Sequence, residues 1–179
     1  MSISNFKITG YITIDGKHIK NQVTTAATAA VLDAIGSGNG IEVSNVVLLT
    51  GFALPSGKTL KDLILSDVLS YASNDCVVGH NANINTRDGT RDMLVTRTSD
   101  APYLLQITSR IPANKGNATP YINGAVLIVN GDITKSVSNG TVTYVPTGTD
   151  TAFSVVMFDP YQKSNTQALV FVWSLQMSV

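Results

Sequence analysis

The stretch Ala168-Leu-Val-Phe-Val-Trp-Ser-Leu-Gln-Met-Ser-Val179 alternates along its whole length. Leu169, Phe171, Trp173, Leu175, Met177 and Val179 fall on one face, and Ala168, Val170 and Val172 make the other face apolar at its start. Strand side chains point to opposite faces with period two. The pattern therefore predicts a central β-strand, buried on one side throughout and on both sides near Gln167. Working back from it, Phe6–Ile14, Ile41–Thr50, Met93–Thr98, Tyr103–Ile111, Tyr121–Val129, Gly140–Val145 and Ala152–Phe158 also read as strands. Val68–Ala72 and Cys76–Val78 are shorter strand candidates. Asp15-Gly16, Asp88-Gly89, Asn123-Gly124, Asn130-Gly131 and Asn139-Gly140 mark turns or bulges between or within these runs.

One segment is predicted as a helix, Thr24–Ile35. Thr24 is placed to cap it, and Ala27, Ala30, Val31, Ala34 and Ile35 share a face. Gly36 stands where a left-handed terminating residue is expected. Gly51–Ser66 is ambiguous, since Leu60, Leu63 and Ile64 fit either a helical turn or an irregular excursion.

The composition agrees with a β protein. Val, Ile and Thr number 53 of 179 residues, and Glu42 is the single glutamate in a chain with only four Arg. β-Branched side chains suit a pleated surface, whereas long helices draw on Glu, Lys, Arg, Leu and Ala. The length favours one domain, residues 1–179. The expected fold is mainly β: a single antiparallel β-sandwich, jelly-roll-like, with one short helix near 24–35.

Charge narrows the function classes. Charged residues are 13% of the chain, about half the ~25% of an ordinary soluble domain, and the net charge is zero. No nucleic-acid partner and no membrane partner are expected from such a surface. The start of the chain has no apolar signal core, and no stretch approaches 18 apolar residues. The polarity comes from 50 Ser, Thr and Asn residues. So few charges on a free surface promote association, which predicts a homo-oligomer.

No constellation carries catalytic chemistry. Gly51-Phe-Ala-Leu-Pro-Ser-Gly57-Lys58-Thr59 imitates a phosphate loop, but five residues separate its glycines and Pro55 has no N–H to offer. Gly36, Gly38 and Gly40 follow a helix and precede a strand, the reverse of a dinucleotide loop. Cys76 and His80 lack two further zinc ligands at a fitting spacing. Asn81, Asn83, Asn85 and Asp92 have calcium-loop spacing with a single carboxylate and Thr86 where Gly belongs. Asp88 and Asp92 adjoin Arg87 and Arg91, which read as surface pairs. Asn117-Ala-Thr119 and Asn139-Gly-Thr141 match glycosylation sequons. Tyr103, Tyr121, Tyr144 and Tyr161 are the candidates for a sugar-binding surface. The expectation is a non-enzymatic protein with no catalytic, cofactor-binding or metal-binding residues.

Three segments together resemble a known group. They are Asn21-Gln-Val-Thr-Thr-Ala-Ala-Thr-Ala-Ala-Val-Leu32; Ile41-Glu-Val-Ser-Asn-Val-Val-Leu-Leu-Thr-Gly51 with Pro55–Leu60; and Phe153–Pro160, Lys163 and Leu169–Leu175. This order resembles tailed-bacteriophage virion proteins of the tail fibre, baseplate and tail-appendage kind. In these an Ala-rich helix precedes a strand ending in Gly-Thr-Gly and a Trp-containing strand closes the chain. Here Leu49-Thr50-Gly51 replaces Gly-Thr-Gly, and residues 67–117 have no counterpart. The resemblance implies a structural subunit of the virion, most simply in the tail or baseplate. Its partners would be copies of itself, as a trimer or hexamer, and other virion proteins. Head-decoration or neck proteins are the alternative within that group, and a receptor- or carbohydrate-binding module facing a host surface glycan is the alternative outside it.

Overall fold

The computed structural model describes residues 7–79, 93–97, 104–116, 121–131, 133–146, 148 and 150–178. It is mainly β, with antiparallel pairing throughout the described strands. Sheet A has the order β2 (Lys17–Lys20), β1 (Lys7–Ile14), β12 (Leu169–Ser178), β7 (Leu104–Ile111), β6 (Met93–Arg97). Sheet B has the order β3 (Gln22–Val23), β11 (Thr151–Tyr161), β8 (Ile122–Val129), β4 (Val43–Thr50), β5 (Ala72–Gly79). A separate two-stranded sheet joins β9 (Ile133–Ser138) to β10 (Thr141–Pro146). The sequence reading put every strand in one sandwich, whereas the described strands divide among three sheets. The Asn139-Gly140 turn explains the division. Both residues are left-handed, with φ of 49° and 78°. Such a two-residue turn closes β9 directly on β10, with Ser138 opposite Thr141.

The inner faces of sheets A and B share one core. Ile12, Ile107, Phe171 and Trp173 from sheet A meet Val46, Leu48, Leu127 and Phe153 from sheet B. A second core covers the opposite face of sheet B. There Val47, Leu49, Val126, Ile128 and Val155 pack under the excursion between β4 and β5 and under Ile133 of the hairpin. Sheet B is thus buried on both faces, which is why Val46 to Leu49 run apolar without alternation and are all fully buried.

β12 is central in sheet A, as its alternation predicts, with Leu169, Phe171, Trp173 and Leu175 inward and buried. Its outer face departs from the expectation at both ends of the argument. Val170 is half exposed, so the strand start is not buried on two sides. Ser174 points away from Trp173 yet is buried beside Tyr11 and Gln106, its neighbours in register. Double burial belongs to β4 and β8 instead.

The helix α1 spans Thr25–Ser37. The Thr24 hydroxyl accepts from the Ala27 N–H at 3.0 Å and donates to the Ala152 carbonyl, which ties the cap to sheet B. The left-handed terminator is Gly38, φ 71°, and Gly36 lies inside the last turn. Of the predicted apolar face, Ala27 is buried and Ala30, Val31 and Ala34 are partly buried, but Ile35 is 73% exposed; Leu32, outside that face, is 64% exposed. The excursion 51–71 folds into a 3-10 turn, Leu60–Asp62, and a short helix α2, Leu65–Leu69, which absorbs the start of the strand expected at Val68–Ala72. Asp88-Gly89 lies outside the described residues, and Asn123-Gly124 sits inside β8, where the pairing with β4 shifts register between Leu49 and Thr50, the bulge alternative of the reading. Gly124 is required there because an added Cβ would meet the Phe52 ring at 2.9 Å and the Val156 carbonyl at 3.1 Å. No helix among the described residues is long and apolar enough to cross a membrane.

Candidate functional site

The segment that imitates a phosphate loop is committed elsewhere. Lys58 Nζ donates to Asp67 Oδ2 at 2.6 Å, and the same carboxylate accepts the Ile64 N–H at 2.9 Å. Asp62 accepts from both the N–H and the hydroxyl of Thr59. These contacts cap the two short helical turns. The Ile64 N–H and then Lys58 hold the Asp67 carboxyl below its ordinary value of 3.8. A depressed folded pKa contributes stability above the unfolded pKa, and that contribution is lost as pH falls through the folded one. Asp67→Ala should cost about 1 kcal/mol at neutral pH, as for lost caps generally. The difference from the parent should shrink as pH drops below 3.8, which melts at stepped acid pH would measure.

Gly36 lies in the last turn of α1, Gly38 is its left-handed cap, and Gly40 follows in the connection to β4. Cys76 is buried, and its thiol lies 3.8 Å from the Gly116 carbonyl. His80, the 81–92 segment with its Asn and Asp ligand candidates, Arg87, Arg91, Asn117, Thr119 and Tyr103 lie outside the described residues. Asn139 occupies the exposed tip of the β9–β10 hairpin. The tyrosines proposed for one sugar-binding surface are not brought together. Tyr161 packs on the core between the sheets, Tyr144 packs on the opposite face of sheet B, and Tyr121 is half exposed beyond β8. Among the described residues, no group of three or more His, Cys, Asp or Glu is placed to hold a metal ion.

Two of the buried polar residues, both within the segments of the resemblance, have a burial that the sequence does not announce. Lys163 is 5% exposed, and its ammonium donates to the carbonyls of Ala113 at 2.9 Å and Ser164 at 3.0 Å. Burial pulls its pKa below the usual lysine value, with Cys76 opposing the shift. Asn21 is buried where the chain leaves β2 for β3. Its side-chain amide donates to the Gly10 carbonyl at 2.9 Å, and its side-chain oxygen accepts from Trp173 Nε1. Both lie in polar stretches, Lys17–Thr25 and Asp159–Gln167, whose composition reads as exposed.

The described residues form two concave regions of note. One, about 270 Å³, is apolar and lies at the end of the inter-sheet core beside α1, between Val31, Ile41, Phe153 and Met177. The other, about 630 Å³, is an open groove on the outer face of sheet A, formed by Thr9, Gly10, Tyr11, His18, Lys20 and Gln176. Comparison with protein-family models, curated proteins and solved structures gives no match to this chain.

Proposed function

We propose that this protein is a non-enzymatic structural subunit of a tailed-bacteriophage virion, in the tail or baseplate, working by assembly into a symmetric oligomer. The observation that carries the reading is the unused apolar face of α1. Leu32 and Ile35, three residues apart on α1, stand exposed on a chain with few charges to keep copies apart. The segment resemblance supplies the virion context and the trimer or hexamer. A place in the neck or on the head follows from the same assembly chemistry. The finer fold reading, one jelly-roll-like sandwich, rests on the core shared by the two five-stranded sheets, with the hairpin and the 51–71 excursion as its cover. A receptor-binding module built on the proposed tyrosines is disfavoured by the dispersal of the three described ones, Tyr121, Tyr144 and Tyr161, over different surfaces.

Native mass spectrometry of the purified chain at micromolar concentration should give a closed oligomer. Leu32→Ser with Ile35→Ser should shift it to monomer with little change in melting temperature, since both side chains are exposed. Antibody labelling of virions should then place the chain on the tail. A monomer at all concentrations that also fails to join particles would sink the reading.

A further inference from the structure

We propose that the groove on the outer face of sheet A binds an anionic saccharide, a sugar bearing a carboxylate. At about 630 Å³ it falls within the roughly 300–1,000 Å³ range of small-ligand clefts. Its wall is the Tyr11 ring, which meets the His18 ring edge-on at 5.3 Å between centroids. His18 is held in turn by a 2.9 Å hydrogen bond between Nδ1 and the Thr13 hydroxyl, which leaves Nε2 for a ligand. Lys20 stands opposite Tyr11 in the β1–β2 register, and Gln176 stands opposite Thr9 in the β1–β12 register. The groove thus sets an aromatic body against an ammonium, an amide and hydroxyls. Hydroxyl-rich rings with apolar C–H faces match the ring, the amide and the hydroxyls.

The carboxylate follows from the charge. No acid lines the groove, and the first hairpin carries Lys7, Lys17, His18 and Lys20 against Asp15 alone, in a chain whose net charge is zero. The groove is also preformed. Gly10 in its floor is locked from behind by Asn21, which is itself fixed on Trp173, so the floor and the His18 ring held by Thr13 need no ordering.

The test is an NMR titration of the ¹⁵N-labelled full chain with 3′-sialyllactose, glucuronic acid, lactose and sodium acetate. Both carboxylated sugars should move the resonances of Thr9, Tyr11, His18, Lys20 and Gln176, with lactose and acetate giving little response at the same concentrations. Lys20→Gln, an exposed change, should weaken sialyllactose binding about fivefold, as expected for loss of one exposed ion pair, and added salt should act in the same direction. Tyr11→Val, which suits a strand, should abolish the preference for sugar over acetate. An equal response to lactose would overturn the anionic part, an equal response to acetate would overturn the sugar part, and no shift at these residues would overturn both. The inference is independent of assembly, since a monomer that fails to join particles but binds the sugar would refute the assembly reading and leave this one standing.

Discussion

Trp173→Ala should lower stability by about 3–5 kcal/mol, the cost of removing a large buried ring from a core that cannot fully close around the space. Trp173 is fully buried in the core between the sheets, on the strand that joins both halves of sheet A. Typical total stabilities are about 5–15 kcal/mol, so soluble yield should fall with the midpoint of urea unfolding. Trp173→Phe separates packing from polarity. It keeps most of the ring but leaves the Asn21 oxygen without its indole donor, which adds about 1–3 kcal/mol for a buried unpaired group. Ser174→Ala, one residue on, should change stability by no more than about 0.5 kcal/mol, because the hydroxyl is buried without a hydrogen-bond partner and its removal loses no bond. If Ser174→Ala matched Trp173→Ala in cost, the inward and outward faces of β12 would be reversed.

Gly10→Ala should be nearly as damaging, although it adds one methyl group. A Cβ there would sit 2.5 Å from the Ser174 carbonyl oxygen and 2.8 Å from the Asn21 amide. The first obstacle is backbone of the paired strand and cannot rotate away, and the second is the bridge to Trp173. Overpacking typically costs about 1–3 kcal/mol, and displacement of the Asn21 hydrogen bonds puts this substitution at the top of that range or above it. Two other glycines calibrate the result. Gly16→Ala meets no neighbour but must hold a φ of 73°, at about 1–2 kcal/mol. Gly36→Ala meets no neighbour inside the last helical turn and should stabilise by about 0.5–1 kcal/mol. Thermal melts of the three variants should rank Gly10 lowest and Gly36 highest, and a harmless Gly10→Ala would contradict the β1–β12 register.

Legibility in the sequence followed the physics of each element. The β12 alternation and the left-handed pairs Asp15-Gly16 and Asn139-Gly140 state their structure locally, and Thr24 caps the helix as its position implies. β4 and β8 read as strands, but their double burial depends on the second core, which exists only once the 51–71 excursion folds over sheet B. That excursion is held by Asp62, Asp67 and the reciprocal hydrogen bonds between Asn123 and the Phe52 backbone, partners that sequence spacing alone does not bring together. β2 and β3 are too short to show a period, and β9 is too polar. The groove stayed hidden for another reason. Tyr11, His18, Lys20 and Gln176 become neighbours only through the pairing of β1 with both β2 and β12, which sequence spacing does not show.

The order of sheet A also sets a timetable for synthesis. β12 lies between the β1–β2 hairpin and the β6–β7 pair, and among the described strands no other joins those two halves. On the ribosome, both hairpins emerge long before the strand that unites them, and each waits with an open edge and an uncovered apolar face. Pairings between distant parts of a chain close slowly, on the order of milliseconds to seconds for β-rich topologies. Sheet B can assemble all but β11 and β3 in the meantime, so the nascent chain passes through a stage in which one leaf is nearly built and the other is in two pieces. Aggregation during expression would begin at that stage, and a chaperone that shields β1 and β7 until Trp173 leaves the exit tunnel would raise the yield of folded protein.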